Sequence, residues 1–321
     1  MAISKGIFRT VALKKETTFG TKAGATGAQE MRRTTFDLNL IKDTYQSSQI
    51  ATHQQIVDMR HGTRRVEGTL NDEISCTTHK DLWAALLRNA WVQGVVATPT
   101  PGHLFVPQSG HTNDSFTIES WRSDISVSET ATGCRITQAQ VSIPANGIAT
   151  VGFTVLGQDM ETATSRYFTT PTAATTTSVA SGAIGEVKAD GVSIAVVTGA
   201  EFTINGNGTT GAVIGSDLSP DVFVGVVEVS GQLTLYMQDK TILDQFINED
   251  TLSLSIQLDE GGSSAHFMRF SMPKIKLGSY TVADVAGEAV ATCQFTALMD
   301  GDGLDAKAKS VILIEDSRIA A

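Results

Sequence analysis

Apolar and polar residues alternate with a period of two along much of the chain, the pattern of strands that bury one face. Thr34, Phe36, Leu38 and Leu40 fall on one face, and the stretches 64–70, 116–123, 133–143 and 148–156 also read as strands. The last two flank Ala145-Asn146-Gly147, and Asn-Gly is a strong hairpin turn, so they predict one hairpin. Residues 56–59 and 64–70 predict two strands around a turn at His61-Gly62. Between them and the hairpin the period changes. Leu82, Trp83, Leu86 and Leu87 form a helical stripe, with Thr77 or Thr78 as N-cap, Asp81 in the first turn and Gly94 as the stop. Residues 1–30 read as a polar arm holding one strand over 7–13, and 17–27, 43–55 and 95–113 read as loops.

Residues 161–182 are a low-complexity Thr/Ala run that reads as a linker rather than as core. Beyond it the same order of elements returns. Phe202-Thr203-Ile204-Asn205 echoes Phe36-Asp37-Leu38-Asn39, and Val229-Ser230-Gly231-Gln232-Leu233 echoes Val66-Glu67-Gly68-Thr69-Leu70. A second helix comes next, with Asp239 as N-cap and Ile242, Leu243, Phe246 and Ile247 as its stripe. Residues 252–258 stand for 116–123, Arg269-Phe270 for Arg135-Ile136 and Ile275-Lys276-Leu277 for Val141-Ser142-Ile143. Phe295-Thr296-Ala297-Leu298 stands for Phe153-Thr154-Val155-Leu156, and 278–287 reads as a longer hairpin tip. An ordered recurrence of this kind marks an internal repeat.

The expected fold is therefore mainly β, a tandem duplicated β-sandwich or half-barrel, each copy with one short flanking α-helix. Residues 1–160 form the first β domain with its N-terminal arm, 161–198 a linker and lead-in strand, and 199–321 the second β domain with a C-terminal strand at Val311-Ile312-Leu313-Ile314. One large irregular sandwich is the alternative. Lys, Pro and Glu are sparse in strands such as 149–156 and 289–298, so their edges are not blunted against pairing. Head-to-tail pairing of such edges around an axis closes a ring with a lumen. Leu298 is expected inside a core strand, so that Leu298→Asp abolishes soluble expression. The C-terminal strand docks on its own domain or on a neighbour, and deleting 311–321 is expected to impair polymerisation more than folding.

Composition narrows the function. At 321 residues and 41% hydrophobic the chain can build a sizeable core, while its charged fraction of 18% and its wealth of Thr, Ser, Ala and Gly suit short strands and tight turns. A net charge of -10 is wrong for gripping phosphates, but it suits a wall past which nucleic acid must slide. Cys76, Cys134 and Cys293 are an odd, dispersed set without CxxC spacing, which argues for buried thiols rather than disulfides or zinc. No stretch has the length and apolarity of a signal core or a membrane span, so synthesis in a cytoplasm is expected.

Chemistry is sparse. There is no phosphate-binding GxxxxGK[ST] and no GxSxG. The histidines His53, His61, His79, His103, His111 and His266 show no metal spacing. His103 and His111 share a loop with Ser109 and Asp114, a grouping that polar loops produce without catalysis. Asp300-Gly301-Asp302-Gly303-Leu304-Asp305 lacks the closing Glu of a calcium loop and reads as a turn, with weak cation binding as the alternative; Asp259-Glu260-Gly261-Gly262 and Asn205-Gly206-Asn207-Gly208 read as turns too. Arg60, Arg64 and Arg65 could contact DNA, but the negative net charge favours reading them as partners of acidic groups on a neighbouring subunit. No catalytic, cofactor or metal residue is assigned, and no enzyme is expected. A monomeric two-domain adhesion or carbohydrate-binding module is the alternative function. It would need exposed aromatics, yet aromatics are 6% and Trp83, Trp91 and Trp121 fall on or beside core elements.

Two motifs carry a family resemblance. Lys14-Lys15-Glu16-Thr17-Thr18-Phe19-Gly20-Thr21 resembles a segment near the start of phage tail tube proteins, and Arg65-Val66-Glu67-Gly68-Thr69-Leu70 followed by Leu82-Trp83-Ala84-Ala85-Leu86-Leu87 resembles their strand–helix segment. The likeness covers most of 7–160 and, more weakly, 200–315. It implies a structural tail tube subunit of a long-tailed, siphovirus-type bacteriophage, located in the virion tail, with a two-sheet β fold and a flanking helix. It further implies stacked rings around a channel that conducts viral DNA from capsid to host. The partners implied are other copies of the chain, the tape measure protein, and tail terminator and tip proteins, with DNA passing unbound and no membrane insertion. A duplicated chain implies trimeric, pseudo-hexameric rings; a single copy would imply hexamers. Residues 41–55, 95–113, the N-terminal arm and 310–316 are the candidate ring-to-ring contacts.

Overall fold

The computed structural model describes residues 3–50, 52, 55–93, 101–194, 196–238, 240–261, 266–285, 287–303 and 305–319. His53, Gly94 as helix stop, Asp239 as N-cap, Gly262 and Leu304 lie outside the described residues.

In chain order, β1 (Arg9–Lys15), β2 (Thr26–Met31), β3 (Thr35–Phe36), β4 (Asn39–Gln46) and β5 (Met59–Glu73) precede α1 (Lys80–Leu87). Next come β6 (Val92–Gln93), β7 (Gly102–Phe105), β8 (Phe116–Arg122), β9 (Val127–Pro144), β10 (Thr150–Gly157) and β11 (Asp159–Ala163). They are followed by β12 (Thr170–Thr172), β13 (Gly185–Ala189), β14 (Val192–Ser193), β15 (Val197–Asn205), β16 (Thr209–Thr210), β17 (Val222–Phe223) and β18 (Glu228–Tyr236). After α2 (Thr241–Ile247) run β19 (Leu252–Asp259), β20 (Phe267–Val285), β21 (Glu288–Ala297) and β22 (Leu313–Asp316). The chain is mainly β, as its alternation predicts. β19 shows why: Leu252, Leu254, Ile256 and Leu258 are all buried, while the residues between them are half-exposed.

The pairings of the first half recur in the second. β5 lies between β3/β4 and β10, and β10 pairs with β9. Likewise β18 lies between β15 and β21, and β21 pairs with β20. β1 joins β2 to β8, as β13 joins β14 to β19. β11 lies on the start of β9 and β22 on the start of β20. Irregularities recur too. The β8–β9 register slips between Phe116↔Cys134 and Ile118↔Ala131, and the β19–β20 register slips between Leu252↔Ile275 and Leu254↔Met272. Thr137 is skipped opposite β10, and Gly278 opposite β21. A bulge bends its strand. So β9 and β20 each turn from one set of partners to another part-way along.

The two halves join edge to edge. β9 also pairs with β15, from Pro144↔Gly199 to Gln138↔Asn205. The result is one unbroken row, β3/β4, β5, β10, β9, β15, β18, β21, β20. One hydrophobic cluster backs it, running from Val11 to Ile314. Trp83 of α1 stands edge-on to Phe153, with ring centroids 4.8 Å apart, and reaches Phe270 of β20 at 5.7 Å; Phe202 meets Phe270 at 5.2 Å.

Several expectations need correction. Residues 59–73 are one strand, with no turn at His61-Gly62, because β4 pairs along its length. Helix α1 starts at Lys80 with His79 as a cap that makes no side-chain bond, and it ends on Arg88 in the left-handed conformation (φ 56°). Thr77 and Thr78 serve elsewhere: the Thr77 hydroxyl binds the Cys76 carbonyl, and Thr78 joins Ser75 and Thr175. Helix α2 buries none of its residues, and Ile247 is 65% exposed. The expected hairpin tip over 278–287 is largely strand, since β20 runs to Val285. In the run 161–182, Phe168 is fully buried, held with Tyr167 by backbone N–H bonds to the Glu119 carboxylate.

The strand pairings also shift the repeat. Cys293 faces Leu233 as Phe153 faces Leu70, so Cys293, not Phe295, takes the place of Phe153. Ala200 takes the place of Phe36 by the same logic. Likewise Leu277 stands for Ile136, each lying one residue before the skipped position. Leu298 lies past the end of β21 and is exposed, because Ala291, Cys293, Phe295 and Ala297 point inward and Leu298 is out of phase with them.

Candidate functional site

The residues that carry the resemblance fold into a structural clasp. The buried Glu16 carboxylate accepts hydrogen bonds from the Ser115 hydroxyl (2.6 Å), the Thr117 hydroxyl (2.9 Å), the Gly20 N–H (3.0 Å) and the Gly133 N–H (2.9 Å). It thereby ties the segment after β1 to β8 and to the bend of β9. Gly20 sits at φ 72°, where glycine is favoured, and the Phe19 ring lies under the Arg135 guanidinium at 4.9 Å. In the second motif Gly68 lets the β3–β4 connection press against β5: a Cβ there would lie 2.5 Å from the Asp37 carbonyl and the Leu38 Cα. Gly231 does the same in the second half, against Glu201 and Phe202.

The side chains capable of chemistry are dispersed. His103 meets Glu315 at 3.2 Å, whereas Asp114 pairs with Lys15 at 2.6 Å and Ser109 is exposed. Burial lowers the His103 pKa, with Lys307 adding to the effect. His79 and Asp72 make a buried pair at 3.0 Å, but it packs against the Phe153 ring inside the core. In the Asp-Gly run, Asp305 accepts the Lys307 and Ala308 N–H groups, and the Ala308 bond foremost lowers its pKa. No group of His, Cys, Asp and Glu among the described residues could hold a metal. All three cysteines are buried and free. Burial raises each thiol, Cys293 to about 11, and Cys76 and Cys134 well above the ordinary thiol range. Arg64 pairs within the chain with Asp159 and Asp217, Arg65 with Asp43 and Glu67, and Arg60 with Asp58. Each of these arginines thus already has a carboxylate partner inside its own chain.

What the fold does present is a wide polar wall. The face of the strand row turned away from the core carries Gln140, Glu201, Thr203, Gln232, Gln294 and Thr296, which line a shallow depression of about 440 Å³ across β9, β15, β18 and β21. The two halves contribute to it without a break. Arg65 and Lys276 also stand on this face by strand parity, and each is ion-paired, Lys276 with Glu249 at 3.7 Å. Strand alternation produces the wall: each strand that sends Val, Leu or Phe inward sends Thr, Ser, Gln or Glu outward.

The row has two ends. The end at β3/β4 has its inner residues Phe36 and Leu38 buried. At the end formed by β20, Val282 is 42% exposed and Tyr280 is only partly buried. Away from the wall, the segment between β4 and β5 displays Ile50, Ile56 and Val57, and the N-terminal arm displays Ile3 and Ile7. An apolar groove of about 750 Å³ runs past Val106, Val226, Leu298, Met299 and Val311. Of the segments expected to make ring-to-ring contacts, most of 310–316 is held inside the chain: β22 is inserted between β20 and β7 and Ile312 and Ile314 are fully buried, which leaves Val311 on the groove. The net charge pointed to such a wall but named none of its residues, although their signal was present as the polar half of the alternating strands.

Residues 9–304 match the family model described as phage tail tube protein. No curated protein gives a match.

Proposed function

The chain belongs to the phage tail tube protein family, and from that premise we propose how it builds the tube. It is a structural subunit of the tail tube. Residues 1–160 and 199–321 act as two copies of one building unit joined through 161–198, a reading supported by the recurring pairings and by bulges at equivalent places. Three chains then make a ring with a pseudo-sixfold repeat, and rings stack into the tail of a long-tailed phage of the siphovirus type. The unbroken polar wall across both halves is the observation that carries this reading: it faces the lumen, and its opposite face holds the core.

Physics favours that orientation. DNA binding gains its strength from phosphates meeting free cations. The wall instead carries amides, hydroxyls and carboxylates, on a chain of net charge -10, so DNA slides past without arrest. The tape measure protein fills the same lumen before ejection, and terminator and tip proteins meet the terminal rings. The subunit is synthesised in the host cytoplasm and functions in the virion. Electron microscopy of concentrated purified protein tests the proposal. Tubes whose averaged cross-sections show six-fold density modulation built from three chains are expected. Tubes with six chains per ring overturn the trimer, and persistent monomers overturn the tube.

A further inference from the structure

The junction inside the chain is a template for the junction between chains. In the first half, β9 continues beyond its bulge and offers its outer edge to β15, which opens the row of the second half. β20 is the counterpart of β9, with bulges at matching places. Its segment Ser279 to Val285 pairs with β21 on one side and, among the described residues, with no strand on the other. β15 corresponds to the β3/β4 stretch, whose outer edge has no strand partner among the described residues, although the Arg9 guanidinium holds the Phe36 carbonyl at 2.7 Å and so closes the edge at that residue. Exposure tells the two junctions apart. Ala139 and Val141 of β9 are 0% exposed beneath β15, whereas Val282, the counterpart of Val141, is 42% exposed. Two complementary edges, one with a covered twin inside the same molecule, fit one partner: a second copy of this chain.

We propose that the outer edge of β20 pairs antiparallel with residues 38–41 of a second copy, in the register copied from the β9–β15 junction. This rests on the tail tube reading and specifies its seam. Phe202↔Val141 inside the chain becomes Leu38↔Val282 between chains, Ile204↔Ala139 becomes Leu40↔Tyr280, and Thr203↔Gln140 becomes Asn39↔Thr281. The internal junction is bracketed by Gly206 N–H to Thr137 carbonyl (2.8 Å) and Ala145 N–H to Thr198 carbonyl (3.1 Å). That bonding parity turns the N–H of Val282 toward the partner, and it makes Asn39 and Thr281 a non-hydrogen-bonded pair with Cα atoms about 4.5 Å apart, within disulfide reach.

The experiment uses the full chain carrying Asn39→Cys and Thr281→Cys, assembled and then oxidised. The native thiols are buried and contribute no background. Covalent dimers and trimers, with no larger covalent species, are expected on a non-reducing gel. The register control Asn39→Cys with Ala283→Cys should link at least tenfold less. Val282→Pro removes one N–H from an open edge, where proline is tolerated, so that variant should stay folded by circular dichroism and fail to form rings. Wild-type tubes combined with absent cross-links, equal cross-linking by the control, or normal rings from Val282→Pro overturn the seam and leave the tube reading standing. Wild-type protein that forms neither rings nor tubes overturns both.

Discussion

Single residues show where the family motifs gain their value. Glu16 is held by two hydroxyls and two backbone N–H groups, and removing it strands those buried donors. An unsatisfied buried donor costs about 1–3 kcal/mol. Glu16→Ala should therefore lose more than about 3 kcal/mol in urea unfolding, and Glu16→Gln, which keeps an acceptor, distinctly less. Asp316 makes a pH-dependent contribution of opposite sign to the usual carboxylate. Burial raises its folded pKa, despite N–H bonds from Thr77 and Arg318. The folded state then holds the proton more tightly than the unfolded state. Its contribution is most favourable below the ordinary carboxylate range and is lost as pH rises through the raised folded value. The Tm of Asp316→Asn minus that of the wild type should accordingly grow more positive as pH rises from about 4 to 7. A flat difference would count against this account.

Among elements, the last two strands carry the sharpest corrections. β21 sends Phe295 inward and leaves Leu298 beyond its end, exposed. In unassembled protein Leu298→Asp should cost less than about 1 kcal/mol, as exposed substitutions do. Phe295→Asp should abolish soluble expression, since truncating such a ring alone costs about 3–5 kcal/mol before any buried charge is counted. A soluble-yield comparison of the two variants checks the register directly. β22 bridges β20 and β7 and brings two isoleucines into the core. Deleting 311–321 should therefore prevent folding, seen as insoluble product or a lost strand signal in circular dichroism, rather than spare folding and block assembly. Helix α1 was legible from its apolar stripe, but its ends were not. Its cap threonines are drawn into tertiary hydrogen bonds, and a left-handed Arg88 closes it where a glycine was the local favourite.

At the scale of the whole molecule, repetition and fusion act together. Each half repeats the same pairings, yet the halves share one cluster, the β9–β15 junction, and Trp83 reaching Phe270 across them. Dispersed subunits such as Val282→Pro should unfold in one calorimetric transition with matching calorimetric and van't Hoff enthalpies. A fragment ending near residue 184 should be insoluble, because it uncovers Val141 and the β7 edge together. Two resolved transitions would show that the halves are independent.

Local periodicity in the amino-acid order was enough to specify a mainly β chain, two short helices, the hairpin at Asn146-Gly147, the order of elements repeated after residue 182, and the polar face that alternation leaves behind. Which residues oppose one another became visible only in three dimensions. Strand register depends on bulges at Thr137 and Gly278 and on the bends they impose. A shift of two preserves the inward and outward pattern, so alternation cannot detect it, and this is why the local echo aligns Phe295 with Phe153 although the strands do not. The partners of Arg64, the burial of Phe168 and the capture of β22 likewise rest on contacts far apart in the chain, where no local pattern records the distance.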